Sequence, residues 1–126
     1  MRGTGPVTLS VSGQTPKYGE KPIFSAILIP MNEPSFEWDE AKNLENSRKH
    51  GVNFCEAQAA FLDAKRVIAE DLEHSQKEKR FYCFGSNRED TGILTVRFTY
   101  RSGRIRIIGA GYWRKGKKVY EQANSV

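Results

Sequence analysis

Phe36-Glu37-Trp38-Asp39-Glu40-Ala41-Lys42-Asn43, running on to Lys49-His50-Gly51-Val52-Asn53-Phe54, is the stretch on which the fold turns. Asp39 is placed to cap a helix, because its carboxylate accepts from backbone N–H groups that a first turn leaves without partners. Gly51 closes that helix, since glycine reaches the left-handed conformation without a Cβ clash. Asn53 opens a second helix with Glu56 three residues on, a capping-box pattern. The spacing predicts helices over about residues 39–50 and 53–61, joined by only Gly51 and Val52. The first has a thin apolar stripe of Trp38, Ala41 and Leu44; the second repeats Phe54, Ala57 and Phe61 at helical spacing.

Downstream the period changes from helix to strand. Residues 66–70 read as a short strand around Val67 and Ile68, and residues 79–85 as a buried, aromatic-rich one. From Ile93 to Arg101, Leu94, Val96, Phe98 and Tyr100 alternate with Thr95, Arg97, Thr99 and Arg101. A two-residue Ser102-Gly103 turn then pairs Tyr100 with Ile105, Phe98 with Ile107, Thr99 with Arg106 and Arg101 with Arg104. A slip of one residue would scramble every pair, so the register is well specified. It sets Arg101 against Arg104, a like-charge pair that needs solvent or an anion to relieve it. Arg97, Arg101, Arg104 and Arg106 share that face, which reads as phosphate-binding. The last segment is basic and carries Gly116, costing ~1 kcal/mol relative to alanine in a helix. A short or frayed helix is expected there. The order specifies an α+β domain: two N-terminal helices, a small, mainly antiparallel sheet of three or four strands, and a short C-terminal helix.

At 126 residues the chain has room for one core. Its net charge of +5 is uneven: Thr91 to Tyr120 holds eight basic residues and no Asp or Glu. Such a block suits a polyanion or an acidic partner. Cys55 and Cys83 sit in apolar patterns and read as reduced, buried thiols. The apolar run 23–29 is too short to span a bilayer and is bracketed by Pro22 and Pro30, so the cytoplasm is the expected compartment. Residues 1–30, rich in Gly, Pro, Ser and Thr, read as a poorly ordered extension, with the domain over 31–126. Met31 is a candidate natural start; a genuine disordered tail is the alternative.

The string Trp38-Asp39 to Lys42-Asn43, then Lys49-His50-Gly51-Val52 to Phe54, resembles the opening of the BrnT family of bacterial type II toxins. Asp71-Leu72-Glu73-His74 and Glu78-Lys79-Arg80 resemble that family's Asp-x-x-His and Glu-x-Arg pattern. Residues 104–108, followed by Val119-Tyr120-Glu121, resemble its closing strand and terminal helix. The resemblance implies a fold like the RelE-type ribonuclease toxins and a protein that cleaves RNA and blocks translation. It also implies a BrnA-like antitoxin as partner, with DNA contacted only through that complex.

Metal-independent RNA cleavage needs a group to activate the 2′-hydroxyl, cations for the phosphate, and an acid for the leaving oxygen. No His/Cys/Asp cluster has zinc-type spacing, and no metal or cofactor is expected. Arg80, in the family's Glu-x-Arg position, and Arg97 are candidates to grip the scissile phosphate, because guanidinium can hold it bidentately. For Arg80 an ion pair with Glu78 or Asp71 is the competing role; for Arg97 it is plain surface. His74 is the candidate acid or base, imidazole exchanging protons near neutral pH. His50, at a helix C-terminus, reads as a capping group. Lys49, Arg101, Arg104, Arg106, Trp113 and Arg114 are candidate RNA contacts, with Tyr112 and Trp113 as stacking platforms or as core. The family's closing strand carries an arginine near the step that here reads Gly111-Tyr112-Trp113, and Arg114 is the nearest substitute. The substrate would be single-stranded RNA, or mRNA on the ribosome. The competing function is a catalytically weakened toxin that still binds its antitoxin, or a non-catalytic module that binds RNA or an acidic antitoxin segment.

Overall fold

The computed structural model describes residues 35–125; the expected extension over residues 1–30 lies outside them. Strand β1 is Phe36–Glu37, followed by helix α1 over Glu40–His50 and helix α2 over Phe54–Ala57, which tightens into a 3₁₀ segment, Gln58–Leu62. Strand β2 (Val67–Glu70) leads through a 3₁₀ turn, Leu72–His74, into β3 (Arg80–Ser86), β4 (Ile93–Arg101) and β5 (Arg104–Gly111), and helix α3 (Arg114–Asn124) closes the fold.

The five strands form one sheet in the order β1-β5-β4-β3-β2. The α+β class is as expected, but the sheet has one more strand than the upper expectation and is mixed. β1 pairs parallel to β5, Phe36 against Ile105 and Glu37 against Arg106. Two residues are too few to show a period, so the pairing is invisible in pattern. The β4–β5 hairpin has the expected register in all four pairs, through a turn with Ser102 at φ 54° and Gly103 at φ 77°. A bulge follows, after which Arg97 faces Gly109 rather than Ile108.

The caps form as the sequence requires. Asp39 accepts from the Ala41 and Lys42 amides, Gly51 sits at φ 72°, and Asn53 and Glu56 complete both bonds of their capping box. The apolar stripe on α1 does not hold. Ala41 and Leu44 are exposed, and the helix's buried residue is Asn46. Its Nδ2 donates to the Val52 and Ala110 carbonyls, and its Oδ1 accepts from the Ala110 amide. α1 is thus pinned to the end of β5 by polar bonds, and Asn43 ties it to the start of α2 by accepting from the Phe54 amide.

The α2 side of the sheet carries the main core. Phe61 packs edge-on against Phe36 and Phe98, and Phe81 stacks on Phe98. Cys83 is buried there as expected, but Cys55 is exposed, because it follows Phe54 on the outer side of α2's first turn. The opposite face is smaller: Val67, Ala69 and Phe84 pack against Val119 of α3. Helix α3 is a full 11 residues rather than frayed, since Gly116 serves packing. A Cβ there would collide with Thr95 Oγ1 and meet the Phe84 ring at 3.0 Å, so glycine lets the helix lie close on the sheet. Tyr120 locks it by donating to Asp63 Oδ2 at 2.6 Å.

Candidate active site

Strand alternation places Arg80, Tyr82 and Phe84 of β3 on the same face as Thr95, Arg97, Thr99 and Arg101 of β4. Tyr82 lies opposite Arg97 and Phe84 opposite Thr95. Helix α3 covers Phe84, and beside it the face opens into a cleft of about 620 Å³. Tyr82, Thr95 and Arg97 form the floor, Asp71 one wall, and Trp113 and Lys115 the other.

Asp71 is the hub of this cleft. It is buried, yet its Oδ2 lies 2.8 Å from His74 Nδ1 and 4.0 Å from Arg97 Nη2. The contact with His74 follows from the local turn. Residues three apart eclipse one another in a 3₁₀ helix, so an Asp-x-x-His sequence across this one brings carboxylate and imidazole together. The hydrogen bond engages Nδ1 of the exposed ring and leaves Nε2 outside it. The floor also contains unsatisfied groups: Arg97 Nε and Thr95 Oγ1 are buried without a hydrogen-bond partner. Buried polar atoms rarely stay unpaired, since each such loss costs ~1–3 kcal/mol.

Of the residues expected from sequence, Arg97 and Trp113 line the cleft, and His74 stands beside it through Asp71. Arg80 occupies the same face one pair further along, opposite Thr99, with Nη2 3.9 Å from Glu78. The anions that relieve Arg101 and Arg104 are carboxylates of the protein itself. Arg101 reaches Glu78 at 3.2 Å, while Glu37 takes Arg104 at 3.6 Å and Arg106 at 3.1 Å. The register of β1 brings Glu37 there, opposite Arg106. Lys49 does not join the cleft; it sits on α1 in an ion pair with Glu45 at 3.3 Å. Arg114 lines a neighbouring groove instead. His50, expected only to cap α1, packs its ring edge-on against Trp113, centroids 5.1 Å apart.

Sequence reading missed Asp71, Tyr82, Thr95 and Lys115 as cleft residues. Asp71 had a signal, the i,i+3 spacing to His74. Tyr82 and Thr95 had only strand parity, and Lys115 none. A further grouping was not anticipated: Asp71, Glu73 and His74 bring potential metal-ligating atoms within 4.8 Å of one another, with Glu73 and His74 exposed.

Gly111 explains the departure at the end of β5. A Cβ at this position would stand 2.6–2.9 Å from the six-membered ring of Trp113. The indole therefore lies across Gly111, in space that a larger residue would need. Trp113 and Gly111 are a matched pair.

No curated protein matches the chain. Residues 38–116 match the family model described as the ribonuclease toxin BrnT of type II toxin–antitoxin systems. That span runs from Trp38 through the cap motifs, the Asp71–His74 turn and the whole sheet beyond it to the first turn of α3, and the chain belongs to the BrnT ribonuclease-toxin family.

Proposed function

We propose that the chain is an endoribonuclease toxin that cuts single-stranded or ribosome-bound RNA through its own 2′-hydroxyl, and that its cleft is the catalytic centre. The carrying observation is the convergence of a buried carboxylate, an imidazole and a partly unsatisfied guanidinium at Asp71, His74 and Arg97. Asp71 is a positioning residue: it accepts from His74 Nδ1–H and so presents Nε2 as the proton acceptor. His74 Nε2 takes the 2′-hydroxyl proton as that oxygen attacks phosphorus. Arg97, whose side chain is about one-third exposed, offers the accessible end of its guanidinium to the phosphate oxygens as charge builds. Arg80, on the same face, supplies a second cation. The bond to the 5′-oxygen breaks, that oxygen takes a proton from water, a 2′,3′-cyclic phosphate remains, and His74 returns its acquired proton to solvent. Translation stops through loss of mRNA, and a cognate antitoxin of the BrnA type restrains the toxin by covering this face.

A second reading has its own observation. Asp71, Glu78 and Glu37 compensate the sheet arginines, and Trp113 fills the space over Gly111, as suits a module that binds without cutting. Incubating the purified protein with a labelled cellular RNA pool in EDTA, beside Arg80→Ala, separates the two. Fragments ending in 2′,3′-cyclic phosphate, lost in the variant, support the enzyme. Intact RNA together with normal growth on expression in cells supports the binder.

A further inference from the structure

A second groove, of about 770 Å³, adjoins the cleft, and the two share Trp113 as a wall. The β3–β4 loop forms one side, and Arg114 and Lys117 of α3 form the other. The loop is tightly built. Asn87 accepts from the Thr91 amide and donates to Thr91 Oγ1 and to the Tyr112 hydroxyl, which holds that ring against the groove. Of the loop's two acids, Glu89 and Asp90, the one that lines the groove is Asp90, which is engaged by Ser86 Oγ at 2.7 Å. Glu121 also borders the groove, one turn beyond Lys117. Among the described residues neither Arg114 nor Lys117 has a carboxylate within ion-pair distance.

We propose that this groove is a second nucleotide subsite, through which the RNA strand leaves the cleft across Trp113 with its phosphates between Arg114 and Lys117. The inference rests on reading the cleft as the RNA site. Two cations without acid partners next to two partly exposed aromatic rings suit a single strand, whose phosphates need positive charge and whose splayed bases stack. Tyr112 and Trp113 are 51% and 39% exposed, enough surface for a base on each. An acidic peptide would use the cations and leave the rings idle.

The test measures binding of a 2′-fluoro hexanucleotide, which has no 2′-hydroxyl to attack, across a salt series. Each phosphate contact on a single strand contributes about 0.7 to the slope of log affinity against log salt, so Arg114→Ala/Lys117→Ala should lower the slope by about 1.4. Lys65→Ala/Lys77→Ala, which removes equal charge elsewhere, should leave it unchanged. An unaltered slope in the first variant, or an equal drop in the second, would overturn the subsite. A first variant that loses affinity for poly-glutamate while keeping the oligonucleotide would overturn it in favour of an acidic protein partner. Arg97→Ala in the same assay reports on the cleft separately. If only Arg97→Ala weakens binding, the groove alone is refuted; if only the α3 pair does, the cleft reading fails and with it the path from cleft to groove, leaving the groove as a separate RNA contact.

Discussion

The sheet face and the first turns of α3 are both strongly basic, but their charges are held differently. On the sheet, Arg80, Arg97, Arg101, Arg104 and Arg106 each lie within ion-pair distance of a carboxylate from Glu78, Asp71 or Glu37. On α3, Arg114 and Lys117 have none among the described residues. The acids that hold the sheet arginines come from β1, the turn after β2 and the loop before β3, all in the acid-rich half of the chain. A row of basic residues in sequence is therefore not a row of available charges in space. The sheet arginines are oriented and partly neutralised, as suits placing a phosphate; the helix cations are available to attract one.

Several perturbations would break or sharpen this contrast. The largest effect is expected at His74, where alanine should lower RNA cleavage by about 10²–10⁴-fold, the usual contribution of a general base. Arg97→Ala should follow, with a loss of about 10²–10³ of the kind seen when a transition-state donor is removed. Both are read from single-turnover cleavage of labelled RNA, with circular dichroism confirming the fold. On the structural side, Gly116→Ala should destabilise the protein by ~1–3 kcal/mol in urea unfolding, although alanine is the better helix former. Glu37→Gln is subtler: freeing Arg104 and Arg106 should steepen the salt dependence of RNA binding by at most about 1.4. A flat response would mean that the ion pairs do not restrain those arginines.

The smallest effect concerns the buried thiol. Burial pushes Cys83 from an ordinary 9.0 to about 12. A thiol whose pKa is raised on folding penalises the folded state at high pH: the unfolded thiol ionises first, so stability is full below about 9 and declines as pH rises towards 12. Denaturant midpoints measured from pH 8 to 11 check this, with Cys83→Ala as reference. Alkylation at neutral pH should modify exposed Cys55 alone until the protein unfolds.

Much of the fold was legible because its signals are local. Asp39, Gly51 and the Asn53–Glu56 box act within one turn, and the Ser102-Gly103 hairpin sets its own register. What escaped reading depends on partners distant in sequence. Asn46 is a polar residue in the place where α1 was expected to bury leucine, because Ala110 and Val52 offer backbone groups to it. β1 is too short to announce itself, yet it delivers Glu37 to two arginines. Gly116 looks like a helix breaker until Thr95 lies beneath it. The site divides in the same way. Residue type and motif singled out Arg97 and Trp113, which line the cleft, and His74 beside it, whereas Tyr82 and Thr95 join the cleft only when β3 and β4 are paired.

Asp71→Asn tests the centre of the account most directly, measured by RNA cleavage rate beside His74→Ala and the double variant. Asparagine keeps the shape but removes the charge that orients His74 and faces Arg97. The expected result is a loss in Asp71→Asn of at least about 10²-fold, with the double variant little worse than His74→Ala because the two residues act as one unit. Wild-type cleavage by a folded Asp71→Asn would contradict the assignment of this cleft as the catalytic centre.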